Sequence, residues 1–197
     1  MKKIISLFVR NYDGDRLVRN EITPGAEWVV AGEGTPTRKI DGTCCLVRNG
    51  KLFKRYEVKE GNTPPDDFEP ANEVDKVTGK QQGWRPVGDK NEDKWHREAF
   101  ATLQQQSIAL GVSMEGTYEL IGPKINGNPE GWDHHQLVPH DAFVLELDNV
   151  PRDFDGLKAY FAEHNIEGIV WHHQDGRMVK IKGKDFGIKR PKQSKNQ

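Results

Sequence analysis

The chain has 197 residues, a formal net charge of -1 at pH 7 and 35% hydrophobic residues. This length suits one domain with a buried core, and no apolar run approaches the roughly 18 residues of a membrane-spanning helix. The near-neutral charge argues against a general nucleic-acid binder, whose domain is usually basic overall. From Lys180 onward, however, basic residues outnumber acidic ones, which predicts a local patch that attracts phosphates.

The N-terminal segment MKKIISLFVRNYDGD is basic and then apolar. Arg10 and Asn11 interrupt its apolar stretch and no small-residue cleavage site follows, so we expect a first strand there instead of a signal peptide. Cys44 and Cys45 are adjacent, which disfavours a structural disulfide and does not match the spacing of a zinc site. These features favour an intracellular, cytoplasmic protein without a membrane segment.

The first half of the chain predicts a hairpin, a loop and a helix. Two β-rich runs within 40–58 are joined by Asn49-Gly50, a dipeptide suited to tight hairpin turns. Residues 60–94 are rich in Pro, Gly, Asp and Asn and lack periodicity, which predicts a long surface insertion. Apolar residues then recur at helical spacing and stop before Gly111, which predicts one helix.

The second half alternates strands with one short helix. Strands are expected at 113–122 and 142–148, and an amphipathic helix at 153–165. A final hairpin turns at 174–176. Together the elements predict an antiparallel-rich α+β domain over 1–187, and the basic tail at 188–197 has the composition of a disordered segment.

Four short segments occur in a specific order, each on or beside a predicted strand: KIDG at 39–42, YELIG at 118–122, EGIV at 167–170 and VKIK at 179–182. Each segment alone is weak evidence for a functional site, because a polar strand end beside a turn glycine has a similar sequence by chance. All four segments in this order are strong evidence.

The set resembles motifs I, III, IV and V of the covalent nucleotidyltransferases, the superfamily of DNA ligases, RNA ligases and mRNA capping enzymes. Longer segments are similar to the compact 5′-to-3′ RNA ligase family found in animals, bacteria and viruses. These segments are KIDGTCC, VTGKQQGWRPVGDKNEDKWHREA, GTYELIGPKINGNPE, HQLVPH and EGIVWH. The resemblance runs from about Trp28 to Phe186. It implies a single adenylyltransferase (ATP-grasp-like ligase) domain. Only fifteen residues follow Lys182, so we expect no OB-fold domain of the kind that follows in DNA ligases and capping enzymes.

The implied activity is ATP-dependent RNA ligation in RNA repair, joining 5′-phosphate and 3′-hydroxyl RNA ends through a lysyl-AMP intermediate and an RNA-adenylate. The resemblance implies ATP and Mg²⁺ (or Mn²⁺) as cofactors and RNA as the partner, and no obligate protein partner is evident. The remaining alternatives are a capping-type guanylyltransferase or a truncated DNA ligase with the same lysine chemistry, and a catalytically inactive RNA-binding protein. Incubation with labelled ATP or GTP separates the first of these.

Lys39 is the candidate nucleophile, because a lysine that takes AMP from ATP splits phosphodiester formation into easier steps. Its amine must be neutral to attack, and neighbouring cations favour the neutral form. Lys180 and Lys182 occupy alternate positions of one strand and so point to the same face. We expect them to supply these cations and to bind the α-phosphate.

The remaining nucleotide-binding candidates follow from the motifs. Glu119 resembles the motif III acid that contacts the ribose, and Glu167 the motif IV acid that binds a divalent ion directly or through water. Asp41 is expected to orient the Lys39 loop, and Gly42 to let the backbone approach the ligand closely.

Basic and aromatic residues outside the four motifs are further candidates. Related ligases place a basic residue near the nucleotide or the 5′-phosphate on the strand after motif I; the candidates here are Lys54 and Arg55, although an exposed hairpin charge pair is an equal alternative. An aromatic and basic mixture suits stacking on unpaired RNA bases. The RNA-binding candidates are Trp84, His96, Arg97 and Lys184. Trp95 is expected to pack the helix into the core, and the two His-His pairs to be surface or RNA-facing residues.

Besides the expected lack of an OB-fold, a second feature departs from the superfamily. Many relatives stack an aromatic side chain on the adenine from the strand after motif III, whereas the strand 143–148 here becomes aliphatic toward its end. The residue that stacks on adenine therefore stays open.

Overall fold

The computed structural model describes residues 4–140 and 146–190, which form two compact units. We call residues 4–40 with 146–190 the Lys39 unit and residues 41–140 the Glu119 unit. The single nucleotidyltransferase domain expected over 1–187 stays a prediction.

Strands dominate both units, and nearly all of their pairings are antiparallel. The strands are β1 (Ile5–Ser6), β2 (Phe8–Arg10), β3 (Val18–Ile22), β4 (Thr35–Lys39), β5 (Thr43–Arg48), β6 (Lys51–Lys59), β7 (Glu69–Pro70), β8 (Lys80–Pro86), β9 (Gly116–Ile121), β10 (Gln136–Pro139), β11 (Gly168–His172) and β12 (Met178–Lys182). The helices are α1 (Glu27–Val30), α2 (Lys94–Leu110) and α3 (Phe154–Glu163), with 3-10 turns at Asn91–Asp93 and Gly183–Phe186. The described chain is therefore α+β and rich in antiparallel sheet.

The Lys39 unit contains a four-stranded sheet in the order β1-β12-β11-β4, in which only β1 and β12 run parallel. Its strands alternate between two faces. One face packs into a core with α3 and includes the fully buried Ile169, Trp171, Val179 and Ile181. Because side chains of a strand alternate, the lysines between these residues lie on the other face.

The Glu119 unit contains a six-stranded sheet in the order β10-β9-β5-β6-β8-β7. One face packs with α2 around Cys45, Tyr118, Leu120 and Ala99. Cys44 and Glu119 occupy the alternate positions and therefore lie on the opposite face.

Local patterns in the sequence agree with these elements. Asn49 and Gly50 have positive φ angles of 52° and 69°, as the turn between β5 and β6 requires. Helix α2 ends at Leu110, and Gly111 after it adopts the left-handed conformation that closes a helix. β11 and β12 form the expected final hairpin. Of the strand expected at 142–148, residues 142–145 lie outside the described residues, and Glu146 bridges Thr37 of β4.

The segment 60–94 contains more regular structure than its composition indicates. β8 pairs along seven residues of β6, and its Trp84 is only 4% exposed. Neighbouring strands supply both the pairing and the burial of β8. The sequence around β8 is rich in Pro, Gly and Asp, so its short strand pattern is hard to recognise from sequence alone. The surface insertion is therefore interrupted by two strands of the sheet, β7 and β8.

Two other expectations concern the chain's ends and a membrane. Residues 191–197 of the basic tail lie outside the described residues, so its disorder stays a prediction. Within the described residues, every helix is too short or too polar to cross a bilayer.

Candidate functional site

Strand pairing brings two of the predicted lysines beside one another in the Lys39 unit. Gly168 of β11 pairs with Lys39 on one side and with Lys182 on the other. Directly paired residues of antiparallel strands share a face, so both lysine side chains flank a position without a side chain. A Cβ at Gly168 would collide with the Ile181 carbonyl oxygen.

Glu167, the residue before β11, accepts hydrogen bonds from both lysines. Its Oε2 lies 2.7 Å from Lys39 Nζ, and its Oε1 accepts a short hydrogen bond from Lys182 Nζ. Burial alone would raise the pKa of Glu167, but the charges of Lys39 and Lys182 outweigh burial and lower it. The carboxylate is therefore ionised at neutral pH and holds the two ammonium groups together.

Lys180 lies on the same face, two residues before Lys182, and pairs with Val170. Burial, followed by the charges of Lys182 and Lys39, lowers the pKa of Lys180 to about 8. The expected common face of Lys180 and Lys182 is therefore present. The cation-rich environment affects Lys180 most clearly, while Lys39 is paired with a carboxylate.

The end of β12 is held by a buried carboxylate. Asp185 accepts a hydrogen bond from the backbone N–H of Lys182 at 3.0 Å and forms an ion pair with Arg10 of β2. Its side chain is 3% exposed, whereas that of Arg10 is 25% exposed. The strand that carries Lys180 and Lys182 is thereby tied to β2.

In the Glu119 unit, Gly42 packs tightly against β9. The backbone N–H of Gly42 donates to Glu119 Oε1 at 3.1 Å. A Cβ at Gly42 would overlap the Leu120 carbonyl oxygen and come within 2.8 Å of the Glu119 side chain. Glycine is therefore required here by the close approach of two protein segments, whatever ligand it also meets.

Side chains from the 126–130 loop hold this segment in place, and the sequence analysis did not select them. Asn126 Nδ2 donates to the Gly42 carbonyl at 2.8 Å and to Asp41 Oδ1 at 3.2 Å. Glu130 Oε1 accepts from the backbone N–H of Asp41 at 3.0 Å. The Asn-Gly-Asn sequence after motif III could have indicated this loop, because Asn and Gly favour turns with positive φ, and Asn126 has a φ of 48°.

His140 is a second residue that the sequence analysis did not select. Its Nε2 lies 2.9 Å from Glu119 Oε2, and Glu119 is 8% exposed. His140 occurs in the HQLVPH segment, but a histidine after a strand carries no local signal of its partner. Glu119 is thus held by Gly42 on one oxygen and by His140 on the other.

Comparison with known proteins identifies the family. A family model described as RNA ligase 1 matches residues 93–196, more than half of the chain, including Glu119, Glu167, Lys180 and Lys182. RNA ligase 1 of Danio rerio is 30% identical over 222 aligned positions, which cover 79% of this chain and 68% of that protein. The chain belongs to the RNA ligase 1 family.

Mammalian members of the RNA ligase 1 family give the same result. The proteins of Pongo abelii and Rattus norvegicus are 28% and 29% identical over 220 aligned positions, covering 78% and 77% of this chain and 67% of each relative. The chain thus spans about two thirds of the length of these curated relatives. The resemblance to an RNA ligase family is confirmed.

The two basic candidates on β6 lie on opposite faces of the sheet in this RNA ligase 1 family member. Lys54 pairs with Cys45 on the α2 face. Burial would lower the pKa of Lys54, but its hydrogen bonds to Asp93 and Glu92 outweigh burial and raise it. Arg55 alternates to the Glu119 face and lies 4.7 Å over the Trp84 ring. Only Arg55 therefore shares a face with Glu119.

Trp84 exposes too little of its side chain in this RNA ligase 1 family member to stack on RNA bases. Its ring is 4% exposed and covered by Arg55, so neither ring face is open to a base. The sequence could not show this, because burial depends on β6, β7 and β8 together.

The other RNA-binding candidates differ in their surroundings. His96 is half-buried 4.0 Å from Asp93, and burial lowers its pKa. Arg97 donates to the backbone carbonyls of Gly88 and Lys90, and Lys184 is exposed.

Trp95 was expected to pack in the core, and His135 to be a surface or RNA-facing residue. Trp95 packs on the core, as expected, and stacks on His135 with 4.4 Å between ring centroids. His135 is 5% exposed, so it is a buried residue and not the surface residue that its sequence suggested. The hydrogen bond from its ring to Glu98 satisfies it there.

Proposed function

We propose that this protein is an ATP-dependent RNA ligase that joins RNA 5′-phosphate and 3′-hydroxyl ends through a lysyl-AMP intermediate on Lys39. The observation that carries the proposal is the cluster of Lys39, Glu167, Lys180 and Lys182 at one end of a sheet. The names of the related proteins supply the reaction class, since each is called an RNA ligase. The cluster supplies a nucleophile, a carboxylate and two cations for phosphoryl chemistry.

In the first step, the neutral amine of Lys39 attacks the α-phosphorus of ATP. A P–N bond forms, the bond between the α-phosphorus and the pyrophosphate oxygen breaks, and pyrophosphate leaves. The ammonium group of Lys39, which forms an ion pair with Glu167, must first release a proton to solvent, because only the neutral amine has a lone pair for the attack. Glu167 does not keep this proton, since its pKa is lowered. Glu167 instead holds the amine in position until ATP arrives.

Lys180 and Lys182 neutralise charge on the α-phosphate. Negative charge moves toward the leaving pyrophosphate during the attack, and cations fixed on a buried sheet face stabilise it without reorganising. A neutral Lys180 would lose this effect, and bound phosphate oxygens favour its charged form.

Two further steps complete ligation. The RNA 5′-phosphate oxygen attacks the lysyl-AMP phosphorus, which breaks the P–N bond and gives an RNA-adenylate, and the lysine nitrogen takes a proton from solvent as it leaves. The RNA 3′-hydroxyl then attacks the 5′-phosphate phosphorus, loses its proton to solvent, forms the phosphodiester and releases AMP. Each step exchanges one bond at phosphorus, so no oxidant or reductant is needed.

Glu167 is the residue that suits a divalent ion in the Lys39 unit. Both oxygens of Glu167 already accept hydrogen bonds from lysines. Glu167 would therefore hold Mg²⁺ or Mn²⁺ through a water molecule, or directly once the ATP phosphates attract one of the lysines away. Mg²⁺ keeps several waters and binds few carboxylates when phosphates complete its shell. When bound, the ion supplies charge neutralisation at the phosphates.

Glu119 is our candidate for contact with the ribose. Both of its oxygens are oriented by Gly42 and His140, which limits its side-chain freedom. A carboxylate held in this way accepts hydrogen bonds from hydroxyl groups at little further entropic cost. Arg55, on the same sheet face, is our candidate for a phosphate contact.

Intact-mass analysis after incubation with ATP and Mg²⁺ tests the proposal. We expect a gain of one AMP in the wild type and in Lys158→Ala, whose lysine is exposed on α3, and no gain in Lys39→Ala or Lys39→Arg. An adduct in a Lys39 variant would place the nucleophile elsewhere. An adduct with GTP but not ATP would indicate capping-type chemistry, and no adduct from the folded wild type would favour an inactive RNA-binding protein.

A further inference from the structure

We propose that Cys44, Glu119 and His140 form a binding site for Zn²⁺ or a chemically similar transition-metal ion. These residues are the one group of three or more metal-binding side chains that comes together within residues 4–140 and 146–190. The site is distinct from the Mg²⁺ chemistry assigned to Glu167, because its donors are a thiol, an imidazole and a carboxylate.

Strand register places the three side chains on one face of the sheet. Cys44 of β5 pairs directly with Glu119 of β9. The backbone N–H of His140 donates to the Thr117 carbonyl at 3.0 Å, so His140 continues β10 beside β9. Thr117 and Glu119 share a face because they are two residues apart, and His140 joins them there.

The distances suit a tetrahedral ion. One donor atom from each residue lies within 4.8 Å of the other two. A zinc ion with bonds of about 2.0–2.3 Å requires its donors to lie about 3.3–3.8 Å apart, a geometry that small side-chain rotations reach from here. The three donors leave a fourth position for water.

A backbone group orients Glu119 as an outer shell does in metal sites. The backbone N–H of Gly42 orients Glu119 through Oε1, which leaves Oε2 on the side of His140. His140 Nδ1 is buried and has no hydrogen-bond partner among the described residues, so the imidazole can turn toward an ion without breaking a second hydrogen bond. Such orientation of ligands raises metal affinity.

The chemistry of the donors selects the metal. Thiolate and imidazole ligands suit Zn²⁺, Co²⁺ and similar ions, whereas Mg²⁺ requires oxygen donors and octahedral geometry. Binding replaces the thiol proton of Cys44, which passes to solvent as the sulfur–metal bond forms. The metal also replaces the hydrogen bond between His140 and Glu119.

Cys45 offers a matched control. It is adjacent to Cys44 but alternates to the α2 face, where it is fully buried. A buried thiol on the opposite face of the sheet cannot reach the ion.

Cobalt titration tests the site directly, with Co²⁺ as a spectroscopic probe for Zn²⁺. We expect the full chain, freed of metal by a chelator, to bind one equivalent and to show a thiolate-to-cobalt charge-transfer band with tetrahedral d–d bands. Cys44→Ser should lose the charge-transfer band and bind Zn²⁺ at least tenfold more weakly in competition with a chromophoric chelator. Cys45→Ala should retain both.

Several outcomes would overturn the site. They are a wild type without the charge-transfer band, a band that persists in Cys44→Ser, and a band that Cys45→Ala removes while circular dichroism shows a folded protein. His140→Gln is the second variant, in case Cys44→Ser does not fold; it should keep a thiolate band but weaken Zn²⁺ binding at least tenfold. Unchanged Zn²⁺ affinity in His140→Gln would contradict the three-ligand site.

The site has a consequence that rests on the proposed function. Glu119 cannot contact a ribose while it binds Zn²⁺, so Zn²⁺ should raise the ATP concentration needed for lysyl-AMP formation. Within each protein we compare adduct formation with and without Zn²⁺, and expect inhibition in the wild type and in Cys45→Ala but much less in Cys44→Ser. Equal inhibition in Cys44→Ser would overturn this consequence. A protein that forms no adduct even without Zn²⁺ would contradict the proposed function, while the cobalt spectrum would still decide the metal site.

Discussion

Glu167 is the residue at which the charges of the Lys39 unit meet. One carboxylate balances two ammonium groups, and Lys180 adds a third cation on the same face. Its side chain is 13% exposed, so solvent screens these charges only partly. A change at Glu167 therefore affects all three lysines together.

We expect Glu167→Gln to slow lysyl-AMP formation by about 10²–10³-fold, because a neutral amide no longer fixes Lys39 and Lys182 or attracts the divalent ion. Single-turnover measurement of adduct formation at saturating ATP and Mg²⁺ checks this. Glu163→Gln, on the exposed surface of α3, is the control and should react at the wild-type rate. Glu167→Gln reacting at that rate would remove Glu167 from the mechanism.

The lowered pKa of Lys180 predicts how the free energy of unfolding depends on pH. Burial and neighbouring cations lower its pKa from 10.5 to about 8 in the folded protein. Between these two values the unfolded chain binds more protons than the folded chain, so the contribution of Lys180 to the free energy of unfolding rises with pH. Relative to Lys180→Met, wild-type stability should therefore rise from about pH 8 to about pH 10, by at most about 3 kcal/mol.

Denaturant unfolding of the wild type and Lys180→Met at several pH values in that window provides the measurement. The comparison with Lys180→Met removes the contributions of titrating groups that do not interact with Lys180. A stability difference that stays flat or falls over the window would show that Lys180 is not desolvated.

At the scale of elements, β12 is positioned by a contact outside its own sheet. Asp185, in the 3-10 turn that follows β12, binds the Lys182 backbone and Arg10 of β2. The strand pairs with β1 and β11 fix its register, and Asp185 fixes where it ends.

We expect Asp185→Asn to destabilise the protein by about 1–3 kcal/mol, because it leaves the partly buried Arg10 without a counter-charge. Lysyl-AMP formation should slow as the end of β12 loosens. Thermal unfolding and adduct kinetics measure the two effects, with Asp175→Asn at the exposed hairpin tip as control. Wild-type behaviour of Asp185→Asn in both assays would show that β12 needs no such anchor.

At the scale of the whole molecule, the proposed activity predicts a preference for RNA. Recognition of RNA ends uses the 2′-hydroxyl, which both donates and accepts hydrogen bonds. Each such bond that a deoxyribose fails to make costs about 1–1.5 kcal/mol, or roughly tenfold in rate. We therefore expect sealing to slow at least tenfold when the last two nucleotides on the 3′-hydroxyl side are deoxyribose.

Matched substrates that differ only at those nucleotides, with ATP, Mg²⁺ and salt held constant, provide the comparison. Lysyl-AMP formation without nucleic acid is the control, since it does not depend on the acceptor. Equal or faster sealing of the deoxyribose substrate would contradict the RNA-ligase proposal and leave the Lys39 chemistry intact.

Local patterns predicted much of the fold, and long-range burial explains the differences. The Asn49-Gly50 turn and the end of α2 at Leu110 agree with the structure because both follow from backbone preferences of a few adjacent residues. Trp84 was predicted to stack on RNA bases, and His135 to be a surface or RNA-facing residue. Their burial depends on partners from other elements, which the local text does not reveal.

The sequence by itself determined the family and the common face of Lys180 and Lys182. Motif order is read along the chain, and the two-residue period of a strand is a local rule. Only the tertiary structure decided which side chains meet. Glu167 binds a lysine 128 residues away, and His140 binds a carboxylate 21 residues away. Such contacts depend on strand pairing and register across long stretches of chain, which local preferences do not specify.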